Sequence, residues 1–373
     1  MMFRRLLLRD LRAFDWTALS GVGVLVAFGL AGIGSVALSR EPADFIFLRK
    51  QVIFLAVGLV LMFFIAFTHP TRWRFSAPII YIVSTLSLAL VLIFGVTVRG
   101  TRGWFEIFGL RLQPVEIMKF ALILFFAKYL SEHLYLRKHW TLFLKTLIIL
   151  SAPMTLVMLQ PDVGSASVMI VLWFAMLASV GIKRLHIAIL AISSVLLAIF
   201  SWFALLAPYQ KERIFTFLNP ERDPLGSGYN VTQSLIAVGS GKWFGRGLGF
   251  GAQSQLKFLP ESQTDFIFAV LAEELGFAIV AVIIFAFTLF LYRAIKIAGS
   301  TNDPFAQFAA FGVAATIFYE MFVNIGMNLG VMPVTGITLP FVSYGGSSLI
   351  AHFCMVGLLE SIAIHSARGA EDS

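Results

Sequence analysis

The sequence predicts an all-α polytopic membrane protein, with about ten transmembrane helices and one large extracytoplasmic loop. Three observations carry that expectation. Of the 373 residues, 59% are hydrophobic and only 13% are charged, against about 25% charged in a soluble globular protein. Apolar runs of roughly the 20 residues that a spanning helix needs recur along the chain. Only one long polar stretch interrupts them, from about 209 to 263. The chain, 1–373, reads as one integral membrane domain.

In order, the spans fall at 17–39, 47–68, 76–97, 114–131, 144–159, 163–182, 185–208, 264–292, 305–328 and 340–366. The first follows a basic N-terminus (Arg4, Arg5, Arg9, Arg12). It is too long for a signal-peptide core and shows no small-residue cleavage site, so it reads as a span. Segments 114–131 and 144–159 are short or carry charge. The 38 Phe suit a lipid-facing surface, and the single cysteine, Cys354, allows no internal disulfide.

Lys and Arg in short loops set the orientation. With the N-terminus inside, 15 fall on the inner side and 12 on the outer. Six of those twelve lie in the long loop, and long loops count little. Both termini are therefore expected in the cytoplasm. The formal charge of +8 points to anionic headgroups or an anionic substrate, not to nucleic acid.

Within the long loop, Gln233 to Val238 is a short apolar segment suited to a re-entrant or interfacial helix. Gly239 to Gly249 follows, with five glycines and the cations Lys242 and Arg246. Such a stretch can bring backbone N–H groups to a phosphate, or it can be a plain flexible connection. Its glycine spacing matches neither a Walker nor a dinucleotide fingerprint.

Ionisable groups inside spans are costly and need a reason. Glu116 and Lys119 stand three residues apart on one helix face and can pair. They either lower the insertion cost or line a polar cavity. Asp265 sits where the polar loop runs into an apolar helix, wet enough to exchange protons. Glu273 and Glu274 are roughly 12–14 Å deeper and read as packing groups, as do Glu320 and His352. Asp162, after Pro161, is a helix N-cap candidate. Asn324, Asn328, Gly326 and Gly330 suit tight helix packing. The segment 332–348 holds Pro and Gly, including Ser343, Tyr344, Gly345 and Gly346, and cannot be one regular helix. Irregular backbone at membrane depth survives only against protein or water, so it should wall a cavity with Asp265.

Several of these stretches together resemble the SEDS family (shape, elongation, division and sporulation) of bacterial peptidoglycan glycosyltransferases. They are Gln113 to Lys119, Gln160 to Gly164, Gly239 to Gly247, Thr264 to Ala269 and Pro333 to Ser348, in order along nearly the whole chain. Met327 to Gly336 resembles the elongation (RodA) branch more than the division (FtsW) branch. One departure stands out: the family commonly places Arg directly before Trp in the first outer loop, and here Gly103 separates Arg102 from Trp104.

The resemblance implies polymerisation of lipid II on the outer face of the bacterial inner membrane. It makes Asp265 the catalytic residue and gives Glu116 and Lys119 a supporting role in the cavity. Its implied partner is a class B penicillin-binding protein. The substrate-contacting candidates are Glu116, Lys119, Arg102, Lys242, Arg246, Ser343 and Tyr344. Asp162, Asn324, Gly345 and Gly346 are expected to shape the cavity.

The expected chemistry has Asp265 take the proton of an acceptor sugar 4-hydroxyl. That oxygen attacks the donor anomeric carbon, and polyprenyl pyrophosphate leaves with inversion. A base must lie within hydrogen-bond reach of its proton. A hydrolase would want a second carboxylate as acid. Here the leaving group is already anionic, so outer-loop cations can stabilise it. No cofactor is assigned by the sequence, and a divalent cation (Mg or Mn) is left open. The alternatives are a lipid-linked precursor flippase or transporter, and a non-catalytic scaffold. No internal repeat of the kind common in transporters is found.

Overall fold

The computed structural model describes residues 13–39, 44–98, 100–107, 109–137, 139–181 and 227–371, with positions 203, 211, 215 and 217. The expected span 185–208 therefore lies outside the described residues, apart from Phe203. Among the described residues, seven helices are long and apolar enough to cross a membrane.

Helix α1 (Trp16–Leu38) is capped by Asp15, whose carboxylate accepts the Ala18 N–H at 3.0 Å. Helices α2 (Ile46–Ala66) and α3 (Pro70–Phe94) follow. The latter starts six residues before the expected span, because Pro70 at its first turn fixes a helical φ and His69 caps it. Then comes a three-stranded antiparallel sheet, from the end of the span expected at 76–97 to the start of that at 114–131: β1 (Val96–Val98), β2 (Thr101–Ile107) and β3 (Leu110–Leu112). Register pairs Val96 with Trp104 and Phe105 with Leu112.

Helices α4 (Pro114–Glu132), α5 (Trp140–Leu159) and α6 (Val163–Ser179) complete the first half. Helix α4 is buried along most of its length, from Val115 to Leu130. That central placement lets it carry Glu116 and Lys119, since neither meets lipid.

In the second half, α7 (Ser227–Ser240) is longer than the six-residue apolar segment expected there. The short α8 (Ala252–Gln255) leads to α9 (Ile267–Ser300), α10 (Pro304–Asn328) and α11 (Gly346–Glu371). Residues 332–345 are irregular, as the Pro and Gly there predict. Helix α11 packs on α2, α9 on α1, and α10 against α4, α6 and α9.

Helix α9 is broken at Gly276, where φ is +75°. The glycine-rich loop fills the break. The Arg246 and Gly247 N–H groups donate to the Glu273 and Glu274 carbonyls at 3.1 and 2.8 Å, and the Phe277 and Ala278 N–H groups donate back to Lys242 and Trp243. A Cβ on Gly276 would overlap the backbone of Phe244 and Gly245. Of the amides that could have cradled a phosphate, those of Arg246 and Gly247 satisfy the backbone of a broken helix.

Candidate active site

Four helices, α2, α4, α6 and α11, begin at one end of the bundle and, with the turn before α9, surround a cavity of about 930 Å³. Lys50 and Phe54 come from α2, Glu116 and Lys119 from α4, and Asp162 to Ser165 from the start of α6. Thr264 and Asp265 precede α9, and Tyr344 to Ser348 lead into α11. The sheet adds Trp104, Glu106 and Arg111, and residues 333–338 form another wall.

Asp265 is half-buried in the turn before α9, and a Cβ on Gly336 would lie 4.0 Å from its Oδ2. Its backbone is clamped from several sides. The Asn324 and Asn328 side-chain amides donate to its carbonyl at 3.2 and 3.0 Å. Asn324 also donates to the Ile337 carbonyl at 2.8 Å, joining the turn to the irregular wall. Ser343 Oγ donates to the Thr264 carbonyl at 2.6 Å, and the Tyr344 N–H donates to the Gln263 carbonyl at 2.8 Å. Gln51 holds the other side, donating to the Ser343 carbonyl at 3.1 Å and accepting the Gly345 N–H at 3.3 Å. A carboxylate on so fixed a turn needs little reorganisation before reacting.

The expected site residues divide into two groups. Asp265, Glu116, Lys119, Asp162, Tyr344, Gly345 and Gly346 all line the cavity. Asp162 caps α6, its carboxylate taking the Ser165 N–H at 2.9 Å, the Ser165 hydroxyl at 2.8 Å and the Gln113 amide at 3.2 Å. The Tyr344 ring stands edge-on to Phe47. Burial raises its phenol above the ordinary range, opposed by the Arg111 guanidinium. Ser343 and Asn324 are buried behind the wall and act on the backbone.

Arg102, Lys242 and Arg246 do not line the cavity. Arg102 donates to the carbonyls of Ile93 and Gly95 at 2.8 and 3.1 Å, closing the C-terminal end of α3. Lys242 and Arg246 are exposed on the loop that plugs the α9 break. The cations that do line it are Lys50, Arg111 and Lys119. Lys50 donates to the Gly109 carbonyl at 2.7 Å, and Arg111 Nε lies 3.5 Å from the Glu106 carboxylate. Lys50 and Arg111 stood among the outer cations of the sequence but had no distinguishing signal. The β2–β3 turn meets Lys50 at Gly109 and β3 packs on α11, which sets both cations in the cavity that Asp265 lines.

Glu273 and Glu274 are fully buried. Glu273 accepts the Gln253 N–H at 3.0 Å, and Glu274 accepts the Ser35 and Ser254 hydroxyls at 2.7 and 3.0 Å. They are the packing groups expected. Glu320 and His352, expected to be structural, are buried and join the Glu116–Lys119 pair. Lys119 Nζ is 2.8 Å from Glu116 Oε1 and 2.6 Å from Glu320 Oε1, and His352 Nε2 is 2.6 Å from Glu320 Oε2. Among the described residues no group of three His, Cys, Asp or Glu could hold a metal ion.

A family model described as FtsW/RodA/SpoVE, cell cycle protein, matches residues 11–368. Stage V sporulation protein E of Bacillus subtilis (strain 168) is 41% identical over 353 residues, covering 92% of this chain and 94% of its own. Peptidoglycan glycosyltransferase MrdB of Escherichia coli (strain K12) is 36% identical over 336 residues, covering 88% and 89%. A solved structure titled "Structural coordination of polymerization and crosslinking by a peptidoglycan synthase complex" superposes with a TM-score of 0.81 at 33% identity, covering 95% of this chain and 98% of that one. The rod shape determining protein RodA of Thermus thermophilus superposes with a TM-score of 0.69 at 30% identity, covering 94% and 96%. A match over nearly the whole length, in sequence and in fold, means that the chain belongs to the FtsW/RodA/SpoVE family of multi-span membrane proteins.

Proposed function

We propose that this chain is a peptidoglycan glycosyltransferase of the bacterial inner membrane, which polymerises lipid II, with Asp265 as the general base. One observation carries the reading. Asp265 lines a cavity on which the N-termini of four helices, α2, α4, α6 and α11, and three cations, Lys50, Arg111 and Lys119, converge. A helix N-terminus carries roughly half a positive charge. Such termini suit a diphosphate, and low surrounding dielectric strengthens their effect.

The chain's own residues then divide the work. Asp265 takes the acceptor 4-hydroxyl proton as that oxygen attacks the donor anomeric carbon. The C–O bond to the prenyl diphosphate breaks, and the departing charge is received by the cations and helix termini. No acid is needed, because the leaving group departs as an anion. With the N-terminus inside, as the Lys and Arg distribution indicates, the cavity opens on the extracytoplasmic side. A class B penicillin-binding protein is the partner proposed to crosslink the product.

The test is gel analysis of glycan made from purified lipid II in liposomes, with lipid translocation scored in the same vesicles. Asp265→Asn is expected to lower polymerisation by about 10²- to 10⁴-fold. Polymerisation at the wild-type rate by that variant would remove Asp265 from the chemistry. Translocation with no polymer from the wild type would favour a transporter instead.

A further inference from the structure

Four ionisable groups from three helices meet inside the bundle: Glu116 and Lys119 on α4, Glu320 on α10 and His352 on α11. Each is at least nine-tenths buried. Every such group opposes membrane insertion. If charge balance for Lys119 were the whole purpose, Glu116 three residues away on the same helix would suffice. Glu320 adds a second negative charge, and that charge needs His352 beside it.

Geometry suggests what the extra pair does. An ammonium has three donors. Two of those of Lys119 go to Glu116 Oε1 at 2.8 Å and Glu320 Oε1 at 2.6 Å. The two carboxylates come from different helices, so together they fix the direction of the third N–H. Lys119 lines the cavity, whereas Glu320 and His352 do not. The other oxygen of Glu320 is held by His352 Nε2 at 2.6 Å. His352 Nδ1 reaches Ser348 Oγ at 3.4 Å, and Ser348 Oγ is 3.0 Å from Thr338 Oγ1. Ser348 and Thr338 line the cavity again. Phe341 packs against the imidazole, with ring centroids 5.4 Å apart. The brace thus runs from one cavity wall to another through groups that no ligand in the cavity touches.

We propose that Glu320 and His352 are positioning residues that hold the Lys119 ammonium so that its remaining N–H meets the diphosphate of a prenyl-linked donor. This rests on the glycosyl-transfer reading above. Both residues act through Lys119 and neither touches substrate.

The experiment uses Glu320→Gln, His352→Gln and the charge-keeping Glu320→Asp, each alone and in a Lys119→Met background, in the full chain in nanodiscs. Binding of farnesyl diphosphate is measured without turnover. KM and kcat for lipid II polymerisation and thermal stability are measured separately. Glu320→Gln is expected to weaken farnesyl diphosphate binding and to raise KM by about tenfold or more. His352→Gln and Glu320→Asp should shift the same two quantities less. None should weaken binding further once Lys119 is Met, because residues acting as one unit are not additive.

Unchanged binding and KM in folded Glu320→Gln and His352→Gln would overturn the proposal. So would losses that add to that of Lys119→Met. A merely structural role moves thermal stability while leaving binding per folded molecule intact, which also overturns it. If the single neutral variants do not fold, Glu320→Asp decides by the same two readouts. Absence of polymer from the wild type would count against the enzyme reading alone, since the diphosphate binding arm needs no turnover.

Discussion

Asn328 grips the start of α9 from both ends of its amide. Its Nδ2 donates to the Asp265 carbonyl at 3.0 Å, while its Oδ1 accepts the Ala269 N–H at 3.1 Å. One side chain on α10 thereby sets both the turn that carries the proposed base and the first turn of the helix behind it.

Asn328→Ala removes both bonds; the Asp265 carbonyl keeps the Asn324 amide, and the buried Ala269 N–H loses its acceptor. The expected cost is about 1–3 kcal/mol, for one buried group left unsatisfied. Polymerisation per folded molecule should fall by about tenfold or more, since a small misplacement of a base is costly. Thermal unfolding in detergent and the lipid II gel assay check the two parts. A variant as stable and active as wild type would show that the clamp is dispensable.

The exposed cations are expected to matter less than the cavity cations. Arg111→Ala should lower kcat/KM for lipid II by about tenfold or more, as loss of a charge-assisted contact to a diphosphate does. Lys242→Ala and Arg246→Ala should change it by less than about threefold, because the structure keeps both outside the cavity. Arg102→Ala should behave likewise, with a stability loss of about 1 kcal/mol from uncapping α3. Losses at Lys242 and Arg246 equal to that at Arg111 would mean that the exposed loop folds over the cavity when substrate binds.

Gly276→Ala places a side chain at φ +75° and against the backbone of Phe244 and Gly245. With ψ at −178° this is a backbone region that only glycine populates, and the strain alone costs about 1–3 kcal/mol; the overlap adds to it. The variant is expected to lose at least about 2 kcal/mol, read as a drop in melting temperature. Protease cutting within 241–250 should rise as the loop leaves its seat.

At the opposite end of the bundle, Arg293 forks onto Asp15, with Nη2 and Nε at 2.6 and 2.7 Å from Oδ2. The Asp15 N–H in turn donates to Glu360 Oε2 at 2.8 Å. Arg293→Met would strand a buried carboxylate and is expected to cost about 3 kcal/mol, toward the lower end for a broken pair because Arg293 is partly exposed. Asp15→Asn added to Arg293→Met should recover part of that loss in a thermal unfolding series. A double variant no more stable than Arg293→Met would show that the lost attraction, not the stranded charge, sets the cost.

Much of the fold can be read along the chain because spans announce themselves by local composition. Asp162 shows how far this goes: Pro161 before it and small residues after it predict an N-cap, and its carboxylate takes the Ser165 N–H. The sheet at 96–112 is harder, since two of its strands have three residues and a period of two needs more repeats to register. Gly276 carries no outward mark either. Its positive φ is demanded by a loop some thirty residues earlier in the chain, not by its neighbours.

What the sequence determined by itself is the membrane class, an irregular stretch within 332–348, the pairing of Glu116 with Lys119 and the place of Asp265 at a helix mouth. Each follows from hydropathy or from spacing within one element. Only the tertiary structure decided that Glu320 and His352 complete the Lys119 brace, that Lys50 and Arg111 are the outer-loop cations facing Asp265, and that Arg102, Lys242 and Arg246 face elsewhere. The physical reason is separation along the chain. Lys119 and Glu320 are 201 residues apart, and helical periodicity tells which face a residue occupies without telling which helix will pack against it.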